Sequence, residues 1–328
     1  MNIKTKELMN LSKQKQSNIL LGLFLADIKN ENLLNEALYS VSQQELPVDL
    51  LIIHPGLSKE DLEKLQAIVN KPTVFIKEQK QNAKTNEVEV VENKIEATKP
   101  INFHIEELQI NNFSKVFNTV FRVASENEYP AFSLFEKEDI IGPKWFSTAH
   151  QYMEENPDMH IFTPLIRNNV NGSFINYMNE SAWAEGFAEE AGKFDMQLLN
   201  RFNCINPLGA VYKTEAIKEY SEEKDDGLFY PMKESIKISH FYEFFIRMAY
   251  NDVKIMSIPR VGYEMRIFNQ PEFKETSSKI PQNIVQIPLE KGGITPEEGS
   301  FWMELAKKEY FFEDDRNKVY EEPKQQTA

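Results

Sequence analysis

The stretch "NILLGLFLAD", Asn18–Asp27, is apolar without a break from Ile19 to Ala26. A strand with one face in water would alternate, so an unbroken run marks a strand covered on both faces by helices. Downstream, Leu33, Leu34, Ala37, Leu38 and Val41 recur at helical spacing, and Pro47 lies just past them. "VDLLIIH" reads as a second buried strand. "SKEDLEKLQAIVN" then opens a helix, with Ser58 as N-cap, Asp61 three residues on, and Leu62, Leu65, Ile68 and Val69 on one face. "PTVFIKE" (strand 73–77) reads as a third strand. Strand, helix, strand, helix, strand predicts an α/β fold with a doubly wound, mainly parallel sheet, whose ligands gather at the carboxyl ends of the strands.

From residue 78 the rhythm breaks. "KEQKQNAKTNEVEVVENKIEATKP" is highly charged, and its alternating Val88, Val90 and Val91 suggest an exposed hairpin. An insertion at about 78–105 is expected. Helical spacing returns at Phe113, Val116, Phe117, Val120, Phe121 and Ala124, followed by the strand "AFSLF" and a helix opened by Pro143. Residues 207–219 give a further strand-to-helix unit, and "HFYEFFIRMAYN" an amphipathic helix before the strand "VKIMSIP". The expected organisation is an arm at 1–17, a core domain at 18–269 and a tail at 270–328. Within the tail, Trp302, Leu305, Ala306 and Tyr310 form one stripe of a short helix, and "EEPKQQTA" is expected to be disordered.

A chain of 328 residues with 41% hydrophobic and 27% charged residues suits a large globular domain with attachments. The net charge of −14 argues against a nucleic-acid backbone as partner, while leaving room for a local nucleotide site. The one cysteine, Cys204, cannot form an internal disulfide, and its setting "FNCINPLG" is that of a packed small residue. The run Ile19–Ala26 is far short of the ~20 residues that span a membrane, and no basic-then-apolar leader precedes it. A cytoplasmic protein is expected. The Lys-, Asn-, Glu- and Phe-rich composition, with 12 glycines, hints at an AT-rich genome such as a bacteriophage's, which makes host cytoplasm or virion the expected place.

Four stretches, in order, resemble the family 2 glycosyltransferases of the GT-A fold. "LLNEALYSVSQQELPVDLLIIHPGLS" (Leu33–Ser58) is similar to that family's Leu-x-x-Ala-Leu-x-Ser-Val-x-x-Gln helix and second strand. "FNTVFRVASENEYPAFSLFEKEDIIGPKWF" (Phe117–Phe146) resembles its Asn-bearing helix, its Ala-x-Gly-Glu-Tyr turn and the strand that carries the Asp-x-Asp metal motif. "PLGAVYKTEAIKE" (Pro207–Glu219) is similar to the acceptor-side segment. "HFYEFFIRMAYNDVKIMSIPRVGYEMR" (His240–Arg266) resembles the Glu-Asp-x-x-x-x-x-Arg helix and the strand after it. The resemblance covers about residues 18–268.

It comes with departures at every acidic motif. Where the family ends its second strand in an Asp pair that grips the base, this chain has His54-Pro55-Gly56. The metal motif reads Glu136-Lys137-Glu138-Asp139, and the pair that supplies the base falls on His240-Phe241, with Arg247 retained. The resemblance implies a nucleotide sugar as donor, an acceptor hydroxyl, and a divalent cation, Mn²⁺ or Mg²⁺, to neutralise the diphosphate. Glu136, Glu138 and Asp139 then become the metal candidates, Asp27, His54 and Arg247 the nucleotide-side residues, and His240 the catalytic base. Lys137 would contact phosphate or neutralise the acids. Each assignment has a plainer counterpart: a solvated acidic turn, a Pro-Gly turn at His54, a helix start at His240, a structural Arg247. Trp145, Trp183 and Trp302 would stack on sugar or simply pack. Two functions follow. One is an inverting glycosyltransferase; the other is an inactive glycosyltransferase fold serving as a structural or binding component of an assembly such as a phage virion, with the insertion and the tail as protein-binding parts.

Overall fold

The computed structural model describes residues 16–81, 88–109, 113–178, 205–223, 228–234 and 240–267. The expected tail, with Trp302, and also Trp183 and Cys204, lie outside the described residues.

The first strand, β1 (Ile19–Phe24), is buried along nearly its whole length, as its unbroken apolar run requires. It leads through helix α1 (Glu31–Ser42) to β2 (Asp49–His54), which is buried at every position. Helix α2 (Lys59–Asn70) follows, and the Ser58 hydroxyl that caps it accepts a hydrogen bond from Asp61 N–H at 3.1 Å. Then come β3 (Thr73–Gln81), β4 (Val88–Glu96) and β5 (Asn102–Glu107). Helix α3 (Phe113–Glu126) returns the chain to β6 (Ala131–Phe135). The second half adds β7 (Ile140–Ile141), α4 (Trp145–Glu155), β8 (Ile161–Val170), β9 (Ser173–Met178), β10 (Val211–Lys213) and α5 (Thr214–Glu219). A small β11 (Glu222–Glu223) and β12 (Phe229–Tyr230) pair precedes α6 (His240–Tyr250) and the long β13 (Ile255–Ile267).

The main sheet runs in the order β5-β2-β1-β6-β10-β8-β13-β7, with β9 beside β8. Strands β5, β2, β1 and β6 are mutually parallel. Strand β10 is antiparallel to both β6 and β8, β13 is parallel to β8, and β7 is antiparallel to β13. The strands β5, β2, β1, β6, β8 and β13 therefore point one way, and the expected mainly parallel sheet is what the chain forms.

The third strand needs a correction. Residues 73–77 are not in this sheet: β3 pairs with β4 in a separate antiparallel hairpin. The hairpin carries Phe75 and Ile76 at 52% and 44% exposure, so the run "TVFIKE" is apolar without being core. The place beside β2 is taken by β5, which includes residues 102–105 that the sequence reading put in the insertion. As an edge strand, β5 has only one strand neighbour. The alternation of Ile101, Phe103 and Ile105 meets that requirement without a continuous apolar run.

Helix α3 lies directly on β1. A β-carbon at Gly22 would stand 2.3 Å from Val120 Cγ2, so glycine permits the close approach. Phe117 of α3 meets Phe132 of β6, Tyr212 of β10 and Phe244 of α6 at centroid distances of 5.3, 5.1 and 5.1 Å. This aromatic knot sets α6 beside α3 on one face. Right-handed crossovers put α1, which joins β1 to β2, on the other. Trp145 is also core: its indole N–H donates to Gly209 O at 2.6 Å and it is buried. Among the described residues, no helix is long and apolar enough to cross a membrane.

Candidate functional site

From β1 the chain steps to β2 and β5 on one side, then returns to β6 on the other. The strand order therefore reverses between β1 and β6. Sheets of this kind take their ligands at the carboxyl ends of the strands beside such a reversal. Asp27 follows β1 there, and the turn Glu136–Asp139 follows β6. His54 ends β2 on the same edge, as the sequence predicts.

Charged groups bridge the reversal point. Lys137 Nζ lies 2.6 Å from Asp27 Oδ1 and 3.7 Å from Glu138 Oε1. Burial works to raise the Asp27 carboxyl, but the hydrogen bond and charge of Lys137, with help from Lys29, outweigh it and hold the group below its usual value. Glu138 is raised, by burial first, with Lys137 opposing and Asp27 adding to the rise.

Asp139 faces inward and is buried. Its Oδ2 accepts from Tyr263 O–H at 2.6 Å and its Oδ1 from Arg266 N–H at 2.8 Å. Burial, followed by the charge of Glu136, holds its carboxyl well above the ordinary range against those two donors. The Arg266 guanidinium donates to Glu138 O and meets Glu36. Glu136 receives no such latch. It is pushed up to about 7, by the protein packed around it and then by Glu138, while Lys137 opposes the rise. Its residue remains exposed, so water screens part of that effect. Glu138 and Asp139 thus share one turn but face different partners, Lys137 for the first and Tyr263 with Arg266 for the second. Among the described residues, no group of three His, Cys, Asp or Glu side chains gathers as a metal ion would need.

Of the other sequence candidates, His54 and Arg247 make contacts within the fold. His54 Nδ1 accepts from Gly56 N–H at 3.2 Å and Leu57 N–H at 3.0 Å, which fixes the turn after β2. Burial lowers its pKa, with Glu107 and Glu106 opposing. Arg247 is buried in α6, its Nε 2.6 Å from Glu243 Oε1, and its Nη2 donates to Pro231 O at 2.7 Å. Asn118 holds the same segment, through Met232 O at 2.8 Å and Met232 N–H at 2.9 Å. Arg247 is therefore a clamp on residues 231–232, and Glu243, the one carboxylate of α6, is engaged by it. His240 opens α6. Since α6 leads into β13, its start lies at the carboxyl edge, where the imidazole stacks with Phe113 at 6.3 Å.

Sequence reasoning missed Tyr263 and Arg266, although both stand in the quoted stretch that ends in "GYEMR". Their spacing gave no sign of the turn they latch.

No family model matches the chain, and no curated protein matches it in sequence. Solved structures match it in fold. Against the crystal structure of S. aureus TarS, the TM-score is 0.50 at 11% identity, over 90% of this chain and 43% of that one. The chain thus spans less than half of that TarS chain. Against TarS 1-349 in complex with UDP, the score is 0.50 at 12% identity, over 90% of this chain and 73% of that one. Against TarS 1-349 in complex with UDP-GlcNAc it is 0.50 at 10%, over 92% and 76%. At such identities the likeness is one of fold. The protein has a GT-A-like, glycosyltransferase-type α/β fold.

Proposed function

We propose that the chain binds a nucleoside diphosphate sugar at the carboxyl ends of β1 and β6 and transfers the sugar to an acceptor hydroxyl with inversion. The observation that carries this reading is the Asp27–Lys137 bridge, which sets a fixed ammonium at the strand-order reversal of a GT-A-like sheet. An ammonium is a point charge suited to phosphate. The TarS complexes hold UDP and UDP-GlcNAc, so a uridine diphosphate sugar is the donor to try first.

In the reaction, the acceptor oxygen forms a bond to the anomeric carbon from the face opposite the diphosphate. The bond from that carbon to the diphosphate oxygen breaks, and its electron pair leaves with the nucleoside diphosphate. The hydroxyl proton passes to a base, a role we assign to His240 on its position at the carboxyl edge. In the fold family a divalent cation supplies charge neutralisation for the leaving group. The residues at this turn do not fit one, because an ammonium stands among them and Asp139 is engaged by Tyr263 and Arg266.

Calorimetric titration of the full chain with UDP, GDP, CDP and dTDP tests the reading. Saturable binding of one of them, weakened at least tenfold in Lys137→Met, is expected. Absence of binding by all four up to millimolar concentration overturns it.

A further inference from the structure

We infer that Lys137 occupies the position of a divalent cation, so that this site meets an anionic ligand without a metal. The inference deepens the nucleotide-sugar reading and rests on it for the identity of the anion, but not for the statement about metal.

Three observations converge. The first is position. Lys137 Nζ sits 2.6 Å from Asp27 Oδ1 and 3.7 Å from Glu138 Oε1, between the acids that follow β1 and β6. A dication drawn to those oxygens would stand within a few ångströms of an ammonium, and charges of like sign at that range repel strongly in a partly buried setting. The second is ligand supply. Mg²⁺ requires near-octahedral oxygen ligands at about 2.0–2.1 Å. Asp139 is turned away from Lys137's acids by two fixed donors, Tyr263 O–H and Arg266 N–H, which leaves Asp27 and Glu138 as the oxygens at the ammonium. The third is a second fixed cation. The Arg266 guanidinium, anchored on Glu138 O and Glu36, holds positive charge on the same turn. The acids around Lys137 therefore orient an ammonium, in the same way that carboxylates elsewhere orient a metal. Lys137 would then meet a diphosphate oxygen with hydrogen bonds that no chelator can remove.

The test uses Mn²⁺ itself as the probe. The full chain is titrated in 0.15 M KCl, with free Mn²⁺ followed by its electron paramagnetic resonance signal. The wild type is expected to take up no stoichiometric Mn²⁺. Lys137→Met, and independently Lys137→Gln, should gain one site per chain that binds at least tenfold more tightly than the wild-type background. Adding Asp27→Asn should abolish the gained site. Melting curves of each variant establish that it is folded. One Mn²⁺ bound by the wild type and lost in Glu138→Gln would overturn the inference. So would folded Lys137 variants that gain no site. A second arm compares UDP binding in EDTA and in Mn²⁺: affinities within twofold agree with the inference, and a tenfold gain with Mn²⁺ overturns it. If UDP does not bind in either buffer, the functional reading loses support, while the Mn²⁺ titration still decides the role of Lys137.

Discussion

The two ends of β2 each carry a buried polar side chain, and the two are held in opposite ways. At the amino end, Asp49 is a hub of acceptors. It takes hydrogen bonds from Gln16 N–H, Ser17 N–H, Asn102 Nδ2 and Tyr129 O–H at 3.0, 3.2, 2.8 and 2.8 Å. Those donors join the start of β1, the start of β5 and the turn before β6. At the carboxyl end, His54 serves only its own turn, and beyond it lie acids raised by burial and by one another. Four donors fix the Asp49 side chain in one place, whereas burial first, and neighbouring carboxylates after it, disfavour the charged forms of Glu138 and Asp139. The amino edge is built for stability, and the carboxyl edge keeps charge under tension where a ligand would enter.

The same isosteric change at the two edges exposes the difference. Asp49→Asn turns one acceptor into a donor facing donors, and should cost about 2–3 kcal/mol of folding stability in urea titration. A loss below about 1 kcal/mol would mean that the hub is not what ties the strands.

The next effect in size depends on pH. The folded pKa of His54 is depressed from 6.5 by burial, which outweighs the opposing charges of Glu107 and Glu106. The unfolded chain therefore binds the proton more readily. The contribution of His54 is present above the unfolded value and is lost as pH falls below about 6.5, by at most about 1.4 kcal/mol per pH unit. His54→Asn, whose side-chain oxygen can accept in place of Nδ1, should flatten that part of the stability profile between pH 7 and pH 5. An unchanged slope would remove His54 from the account.

The smallest effect belongs to Asp139→Asn. Its amide oxygen can keep Arg266 N–H, its amide N–H can donate to the Tyr263 hydroxyl, and a buried charge beside Glu136 disappears. Stability at pH 7 should stay within about 1 kcal/mol of wild type. Equal losses for Asp49→Asn and Asp139→Asn would erase the contrast between the edges.

The sequence revealed the strands that are buried on both sides. β1, β2 and β6 announced themselves as unbroken apolar runs because both of their faces meet helices. β5 escaped because an edge strand needs only alternation, and the apolar "TVFIKE" of the exposed hairpin drew the assignment to itself. At the site, the place of Glu136–Asp139 was legible, since a charged turn after a buried strand is a local pattern. Its partners were not. Tyr263 and Arg266 stand 124 and 127 residues further along, and no spacing rule links them to Asp139. Asp49 was invisible as a hub for the same reason, its partners lying 32 to 80 residues away. The role of Arg247 as a clamp was open from sequence, because one arginine serves an ion pair or a phosphate equally well until its neighbours are known.

The distance between the acidic turn and β13 also sets an order of events during synthesis. Strands β5, β2, β1 and β6 are complete once residue 135 has left the ribosome, and they can pair and cover themselves with α1, α2 and α3. Asp139 must then wait for Tyr263, 124 residues later. At about 5–20 residues per second, that is roughly 6–25 s with the Asp139 carboxylate in water. During this interval the nascent site has its Lys137 and Asp27 but lacks the strand that fixes the turn beside them. Translation of the last third of the chain is therefore what converts a folded half-sheet into a finished site.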